Sequence, residues 1–141
     1  MQLKEHIVFS IPAAAAAVYM AGFRNGLLFM TGAVLWDVDH IFDYIFINKK
    51  KWNFSRFQRD YYEHSVEKTL LVLHSWEILL LLFLASSLFL NKGLFFMAGA
   101  LYHLVLDSLF NPCRPYAYFL LHRLRKGLKF SELYYTREKD R

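Results

Sequence analysis

The stretch TLLVLHSWEILLLLFLASSLFL, residues 69–90, is the strongest indication of the fold class in the sequence. Its middle, from Ile78 to Ala85, is an unbroken apolar run. About 17 to 25 mostly apolar residues are enough for an α-helix to cross the ~30 Å hydrocarbon core of a bilayer. This stretch therefore predicts a transmembrane helix.

Three further apolar segments accompany it, at residues 7–23, 26–47 and 93–111. Hydrophobic residues make up 56% of the 141-residue chain, and a soluble domain of that size has little interior in which to bury them. Very short connections at Arg24-Asn25 and Asn91-Lys92 favour two antiparallel hairpins. The sequence thus predicts one all-α polytopic membrane domain, residues 1–141, with four transmembrane helices.

The basic residues predict the orientation of this domain. Of the 17 Lys and Arg residues, all but Arg24 and Lys92 lie in the terminal segments or in the loop 48–68. Positively charged loops stay in the cytoplasm, which predicts a multi-pass inner-membrane protein with both termini cytoplasmic. Segment 7–23 also has the ingredients of a cleaved signal peptide, but a retained helix is preferred because it keeps both termini on the basic face.

Two stretches outside the spans, residues 54–67 and 116–129, predict interfacial helices. The second has leucines on one side and basic residues, including Arg123, on the other, which favours contact with the anionic headgroups of membrane lipids. For the same reason the net charge of +5 is not taken as a sign of nucleic-acid binding. The lone Cys113 excludes an internal disulfide framework and a cysteine-based zinc motif.

Acidic residues and histidines inside the apolar segments, where no Lys or Arg accompanies them, point to a bound cation. A carboxylate near the middle of a bilayer costs several kcal/mol, and carboxylates and imidazoles are ordinary metal ligands. Residues three or four apart share one face of a helix. The pairs with this spacing are Asp37/His40, Asp39/Asp43, His74/Glu77 and His103/Asp107.

The hairpin topology places these pairs at one level beneath the cytoplasmic face, which predicts a single mono- or dinuclear site. The predicted ligands are Asp37, Asp39, His40, His74, His103 and Asp107, with His64 as a further candidate. Three alternatives stay open for the pairs. His74 or His103 could be a hydrogen-bonded packing residue, residues 37–43 could form a loop with its acids in water, and Glu77 could pair with a basic side chain.

Three short elements resemble motifs of the bacterial membrane-bound metal-dependent hydrolases, the family that includes a LexA-regulated inner-membrane protein. Residues 35–40, LWDVDH, are similar to the family's Leu-Pro-Asp-x-Asp-His element, with Trp36 in place of the proline. Leu73-His74-Ser75 resembles its Thr-His-Ser element, although no His-Arg-Gly precedes it. His103-x-x-x-Asp107 resembles its His-x-x-x-Asp element, and also zinc ligands of phospholipase C and related nucleases. The resemblance covers about residues 32–112.

The resemblance implies a hydrolase, with zinc as the expected divalent metal and manganese or magnesium as alternatives. The depth of the site, near the cytoplasmic face, predicts a lipid or phosphoester as the substrate. Metal-bound water needs a proton acceptor nearby, and Glu77 or Asp43 is the predicted general base. The competing functions are a cation or proton transporter, an ion sensor, and an accessory protein with a structural metal. Small residues around Gly93 and Gly99 would allow the close helix contact of a homo-oligomer.

Overall fold

The computed structural model describes residues 3–62, 65–89 and 93–135, and within these ranges it is all-helical, without strands. The chain forms two compact units. Unit 1 comprises Met1–Asp37 and Trp76–Asn111, and unit 2 comprises Val38–Ser75 and Pro112–Arg141. Unit 1 contains helices α1 (Leu3–Ala21), α2 (Phe23–Leu35), α5 (Trp76–Phe89) and α6 (Leu94–Phe110). Unit 2 contains α3 (Val38–Phe42), a π-helical turn (Asp43–Ile47), α4 (Phe54–Tyr62), α7 (Leu120–Arg125) and α8 (Phe130–Leu133).

The helices overturn the predicted membrane architecture. None of those in the described ranges combines the length and the apolar character that a membrane crossing requires. The predicted span 26–47 is divided, because α2 ends at Leu35. The predicted span 69–90 starts with non-helical residues, and its 14-residue helix α5 is only about 21 Å long. The predictions of a polytopic membrane fold and of a multi-pass inner-membrane location are therefore wrong.

The predicted interfacial helices are shorter than expected. In place of 54–67 the structure has α4, and in place of 116–129 it has the six-residue helix α7. Helix α7 is followed by Gly127 and Leu128, whose positive φ angles of 64° and 61° are incompatible with helix continuation. Arg123, predicted on the polar outer face, is instead fully buried, so its side chain belongs to the interior of unit 2.

Unit 1 is built around a close crossing of α2 and α6. A Cβ added to Gly99 would lie 2.0 Å from the carbonyl oxygen of Phe29, and one added to Gly32 would lie 2.0 Å from that of Phe96. Each glycine therefore faces the main chain of the opposite helix, where no side chain fits. Helix α1 packs on α2 through Ala17, and its Phe9 carbonyl accepts a 2.9 Å hydrogen bond from the Tyr102 hydroxyl of α6.

Much of the apolar character that suggested membrane helices lies on exposed surface of unit 1. On α5, four leucines are about half or more exposed: Leu80, Leu81, Leu84 and Leu88. Apolar surface of this kind marks contact with a partner when it is contiguous. The predicted partners, anionic lipid headgroups and a second copy of the chain, stay predictions, as does the absence of a nucleic-acid partner.

Unit 2 joins two distant stretches of the chain through main-chain contacts, and a polar network lies within the first stretch. Isolated antiparallel bridges link Lys68 with Lys129 and Cys113 with Tyr134. The carboxylate of Asp60 accepts hydrogen bonds from the Lys50 ammonium at 2.7 Å and the Tyr44 hydroxyl at 3.0 Å. Burial raises the pKa of Asp60, but these two hydrogen bonds outweigh it and hold the pKa below its ordinary value. Asp60 is thus ionised and fixes α4 to the π-helical turn.

Candidate metal centre

The site in unit 1 begins with His103 on α6, whose ring orientation is set by the neighbouring helix. Its Nδ1 lies 2.8 Å from the carbonyl oxygen of Ala33 on α2, in the fully buried interior. A carbonyl can only accept a hydrogen bond, so Nδ1 carries the proton. In the neutral ring, Nε2 therefore presents its lone pair, the state in which histidine binds metals.

Carboxylates surround that lone pair. The Nε2 of His103 lies 3.4 Å from Oδ1 of Asp37 and 3.6 Å from Oδ2 of Asp107, which is one helical turn away on α6. Ionised carboxylates are acceptors only, so three acceptor atoms meet with no hydrogen between them when the ring is neutral. A proton on Nε2 or a cation among the three atoms would remove the repulsion.

His6 on α1 completes the group. Its Nε2 lies 3.1 Å from the other carboxylate oxygen of Asp107, and its ring stacks on that of His103 with centroids 3.8 Å apart and planes inclined by 10°. Two protonated rings stacked at this distance would repel each other strongly in a buried site. A metal ion bound by both neutral rings avoids that repulsion, as does a single proton within the group, so the geometry is compatible with a metal ion.

These four residues, His6, Asp37, His103 and Asp107, are called the unit 1 cluster. Each offers one ligand atom, and the four atoms lie within 4.8 Å of one another. Zinc bonds of about 2.0 to 2.1 Å place neighbouring tetrahedral ligands about 3.3 Å apart. The nitrogen–oxygen separations of 3.1, 3.4 and 3.6 Å are of that order, and the first and the last involve different oxygens of Asp107. A buried His/Asp group that could hold a metal ion is therefore present, and its donor set fits zinc.

His6 was not among the ligands predicted from the sequence. No sequence signal would have found it, because its burial on α1, one turn before the fully buried Ser10, is visible only in the structure. Neither His6 Nδ1 nor Ser10 Oγ has a hydrogen-bond partner within the described residues. Two buried polar groups without a hydrogen-bond partner are unusual unless they serve a site.

We expect His6→Ala to weaken zinc binding by about 10- to 100-fold, since it removes one of four ligands while leaving the α6 pair in place. Isothermal titration calorimetry with Zn²⁺ on the metal-free protein measures the change. His122→Ala is the matched control, because His122 lies on α7 in unit 2, against Tyr116. An affinity equal to that of the wild type would show that His6 is not a ligand.

In unit 2, three of the predicted ligands lie next to one another: Asp39, His40 and His74. Oδ1 of Asp39 lies 2.8 Å from Nδ1 of His74, and the rings of His40 and His74 meet edge to face at 4.7 Å. Asp39 is thus a partner of the His74 ring in this structure. Burial raises the pKa of Asp39, but the charge and hydrogen bond of His74 outweigh it and lower the pKa.

Asp39 and Asp43 also hold the non-helical segment 69–75, on which His74 lies. Oδ2 of Asp39 accepts from the amides of Leu73 at 2.9 Å and His74 at 3.3 Å. Asp43 accepts from the amides of Leu70 at 2.7 Å and Leu71 at 3.3 Å. Burial raises the pKa of Asp43 despite these hydrogen bonds. The carboxylates therefore take the place of helical carbonyls as partners of these amides.

The remaining predicted site residues lie as follows. Asp43, one of the two predicted general bases, is buried in unit 2 with a main-chain contact at each oxygen. Glu77, the other, lies in the first turn of α5 in unit 1 and is half-buried. His64 lies outside the described residues. The catalytic roles of Glu77 and Asp43 stay predictions.

Comparison with known proteins found no relative of the chain. No family model, no curated protein and no solved structure matches the chain. The resemblance to the membrane-bound metal-dependent hydrolases consequently stays a prediction that depends on the three motif elements alone.

Proposed function

We propose that the chain is a metal-dependent hydrolase of phosphoesters, with zinc bound by the unit 1 cluster. The observation that supports this most directly is the uneven burial of the ligands. The side chains of His6 and His103 are 0% exposed and that of Asp107 is 4% exposed, whereas that of Asp37 is 26% exposed. Structural zinc sites have four protein ligands, whereas catalytic sites have three and leave the fourth position to water or substrate, so the proposal takes Asp37 as the ligand that water or substrate replaces.

In this proposal, the four residues of the unit 1 cluster have different roles. The two histidines and Asp107 hold the ion from the buried side, and the main-chain carbonyl of Ala33 keeps His103 in the metal-binding tautomer. Asp37 lies at the open edge, where a water molecule or a substrate oxygen would enter. A bound zinc ion would lower the pKa of that water toward ~7 and polarise the phosphoryl oxygen. Glu77, in the same unit, is the candidate proton acceptor.

The choice of a phosphoester has a separate support. His103 and Asp107 have the spacing of the His-x-x-x-Asp element that resembles zinc ligands of phospholipase C and related nucleases, and α6 is continuous through both residues. Residues four apart on a continuous helix present their ligand atoms on one face. In this proposal a further ligand is His6 on α1, which was not among the ligands predicted from the sequence.

The test is hydrolysis by the purified, metal-free protein after addition of zinc, manganese or magnesium. The substrates are a nitrophenyl phosphodiester, a nitrophenyl phosphomonoester and a nitrophenyl carboxylic ester. We expect turnover of a phosphate ester that requires metal, disappears with a chelator and is absent in Asp107→Asn. Metal-loaded protein that hydrolyses none of the three esters would contradict the proposal and favour a structural metal. The transport, ion-sensing and accessory-protein alternatives stay predictions.

A further inference from the structure

Ser10 is a fully buried serine of α1 whose hydroxyl has no hydrogen-bond partner within the described residues. A serine or threonine inside a helix commonly donates to the carbonyl three or four residues before it. Three other helical hydroxyl groups of unit 1 do so, those of Thr31, Ser87 and Ser108. A buried hydroxyl without a partner costs free energy, so its presence on α1 requires a reason.

Packing gives no reason for a serine at this position. Residues three or four apart share one face of a helix, and the face of Ser10 continues with Ala13, Ala14 and Ala17 in the core of unit 1. Alanine has the shape of serine without the hydroxyl, and its helix propensity is higher. An alanine at position 10 would continue the face without an unpartnered polar atom. The hydroxyl of Ser10 therefore indicates a role other than packing.

His6 lies on the same face, four residues before Ser10. Side chains of a helix lean toward its amino terminus, which directs the Ser10 hydroxyl toward the turn that carries His6. Nδ1 of His6 is bonded to the ring atom that carries the side chain, so it stays beside α1, whereas Nε2 at the far edge lies 3.1 Å from Asp107. Nδ1 also has no hydrogen-bond partner within the described residues. Two buried polar atoms on successive turns of one face thus lack partners.

Metal binding decides what Nδ1 of His6 needs. A neutral imidazole has one N–H group and one lone pair. When Nε2 gives its lone pair to a metal ion, Nδ1 carries the proton, and metal-binding histidines almost always donate that proton to an acceptor. For His103 the acceptor is the carbonyl of Ala33. For His6 the polar group on the same helix face is the Ser10 hydroxyl, which can accept as well as donate.

We propose that Ser10 is a positioning residue of the unit 1 cluster: its hydroxyl accepts a hydrogen bond from Nδ1 of His6 when Nε2 binds a metal ion, and so holds the ring in the metal-binding tautomer. The inference rests on the metal binding of the proposed function, because it requires His6 to be a ligand. The structure itself contains no such hydrogen bond, and the proposal assigns it to the metal-bound ring. The same hydroxyl can donate to the main-chain carbonyl of His6, four residues before it.

The experiment is a double-mutant cycle between Ser10 and His6 in the full chain. Isothermal titration calorimetry with Zn²⁺ on the metal-free protein measures the affinity, and the binding step analysed is the one that disappears in Asp107→Asn. We expect Ser10→Ala to weaken this step by about 10-fold or more, as loss of the partner of a metal-binding histidine does. In the His6→Ala background the same substitution should cause no further weakening, because the ring that it positions is absent.

Ser86→Ala is the matched control and should leave the zinc affinity unchanged. Ser86 is the other serine of unit 1 whose hydroxyl is buried without a partner in the described part of the chain. It lies beside Gly93, about 15 Å before His103 along α6.

A second measurement separates positioning from a general structural role. In the metal-free protein, Ser10→Ala removes a buried hydroxyl that has no partner, so its Tm should equal or exceed that of the wild type. A lower Tm of metal-free Ser10→Ala would indicate a structural role and overturn the proposal. Equal weakening of zinc binding with and without His6, or wild-type affinity in Ser10→Ala, would overturn it as well.

The result can be told apart from a failure of the proposed hydrolase function. A coupled cycle in a protein that hydrolyses no phosphate ester would refute the function and leave the role of Ser10 in metal binding intact. An additive cycle in a protein with metal-dependent hydrolysis would refute the role of Ser10 alone. A wild-type chain without zinc binding at the unit 1 cluster would refute both.

Discussion

Asp107→Asn is expected to lower the zinc affinity of the unit 1 cluster by at least about 100-fold, because Asp107 is a predicted ligand and also touches both histidines. One carboxylate oxygen lies 3.1 Å from His6 Nε2, and the other lies 3.6 Å from His103 Nε2. The amide has the same shape but no charge, and its nitrogen cannot bind a metal ion. Calorimetric titration with Zn²⁺ and the metal content of the purified protein measure the loss.

The same substitution should also abolish stabilisation by the metal. An ion that binds only the folded chain stabilises it by about 2.7 kcal/mol at a free concentration 100 times Kd, so Zn²⁺ should raise the Tm of the wild type and not that of Asp107→Asn. Glu132→Gln is the control, because Glu132 is an exposed acid paired with Lys126. Equal zinc affinity in Asp107→Asn and wild type would refute the metal centre.

Gly99→Ala is expected to destabilise the fold by about 3 kcal/mol or more, at the upper end of what an added methyl group costs in a packed interior. The new Cβ would lie 2.0 Å from the carbonyl oxygen of Phe29, an impossible contact that only movement of the helices relieves. That movement would also separate the His103 ring from the carbonyl of Ala33. Chemical denaturation of the metal-free protein measures the loss of stability, and a lower zinc affinity should accompany it.

Gly93→Ala is the matched control for this prediction. There the added Cβ meets the hydroxyl of Ser86 at 2.8 Å, and a side chain can rotate away where a main-chain carbonyl cannot. We therefore expect a change of less than about 1 kcal/mol in the free energy of unfolding. Comparable losses in the two variants would mean that α2 and α6 do not cross as closely as the glycines indicate.

The sequence predicted the helical class and the approximate places of α1, α2, α5 and α6, but it did not predict where the long apolar segments break. Hydropathy averages over a window, so Asp39 and Asp43 were absorbed into a predicted span. In the structure their carboxylates bind the amides of residues 70, 71, 73 and 74. Contacts between side chain and main chain across about 30 residues leave no periodic signal in the sequence.

The parts of the site that depend on local spacing were predictable, and those that depend on tertiary packing were not. His103 and Asp107 share a face because α6 runs continuously through them, as the four-residue spacing implies. The approach of Asp37 to His103 also agrees with their grouping as candidate ligands. His6 was missed, because a residue 101 positions from Asp107 has no local motif that announces it. Arg123 was misplaced, because a basic residue beside leucines usually lies on an exposed helical face.

The pairing of His6 with Asp107 has a consequence for how the molecule would assemble. An ion held by both residues would close a ring of about 100 residues, and long rings are entropically costly to close before the other contacts exist. The first helix must therefore have docked before the ion can be captured tightly. Once bound, the ion would hold the amino-terminal helix in place. Hydrogen exchange in residues 3–21 should therefore slow more than elsewhere when metal is added.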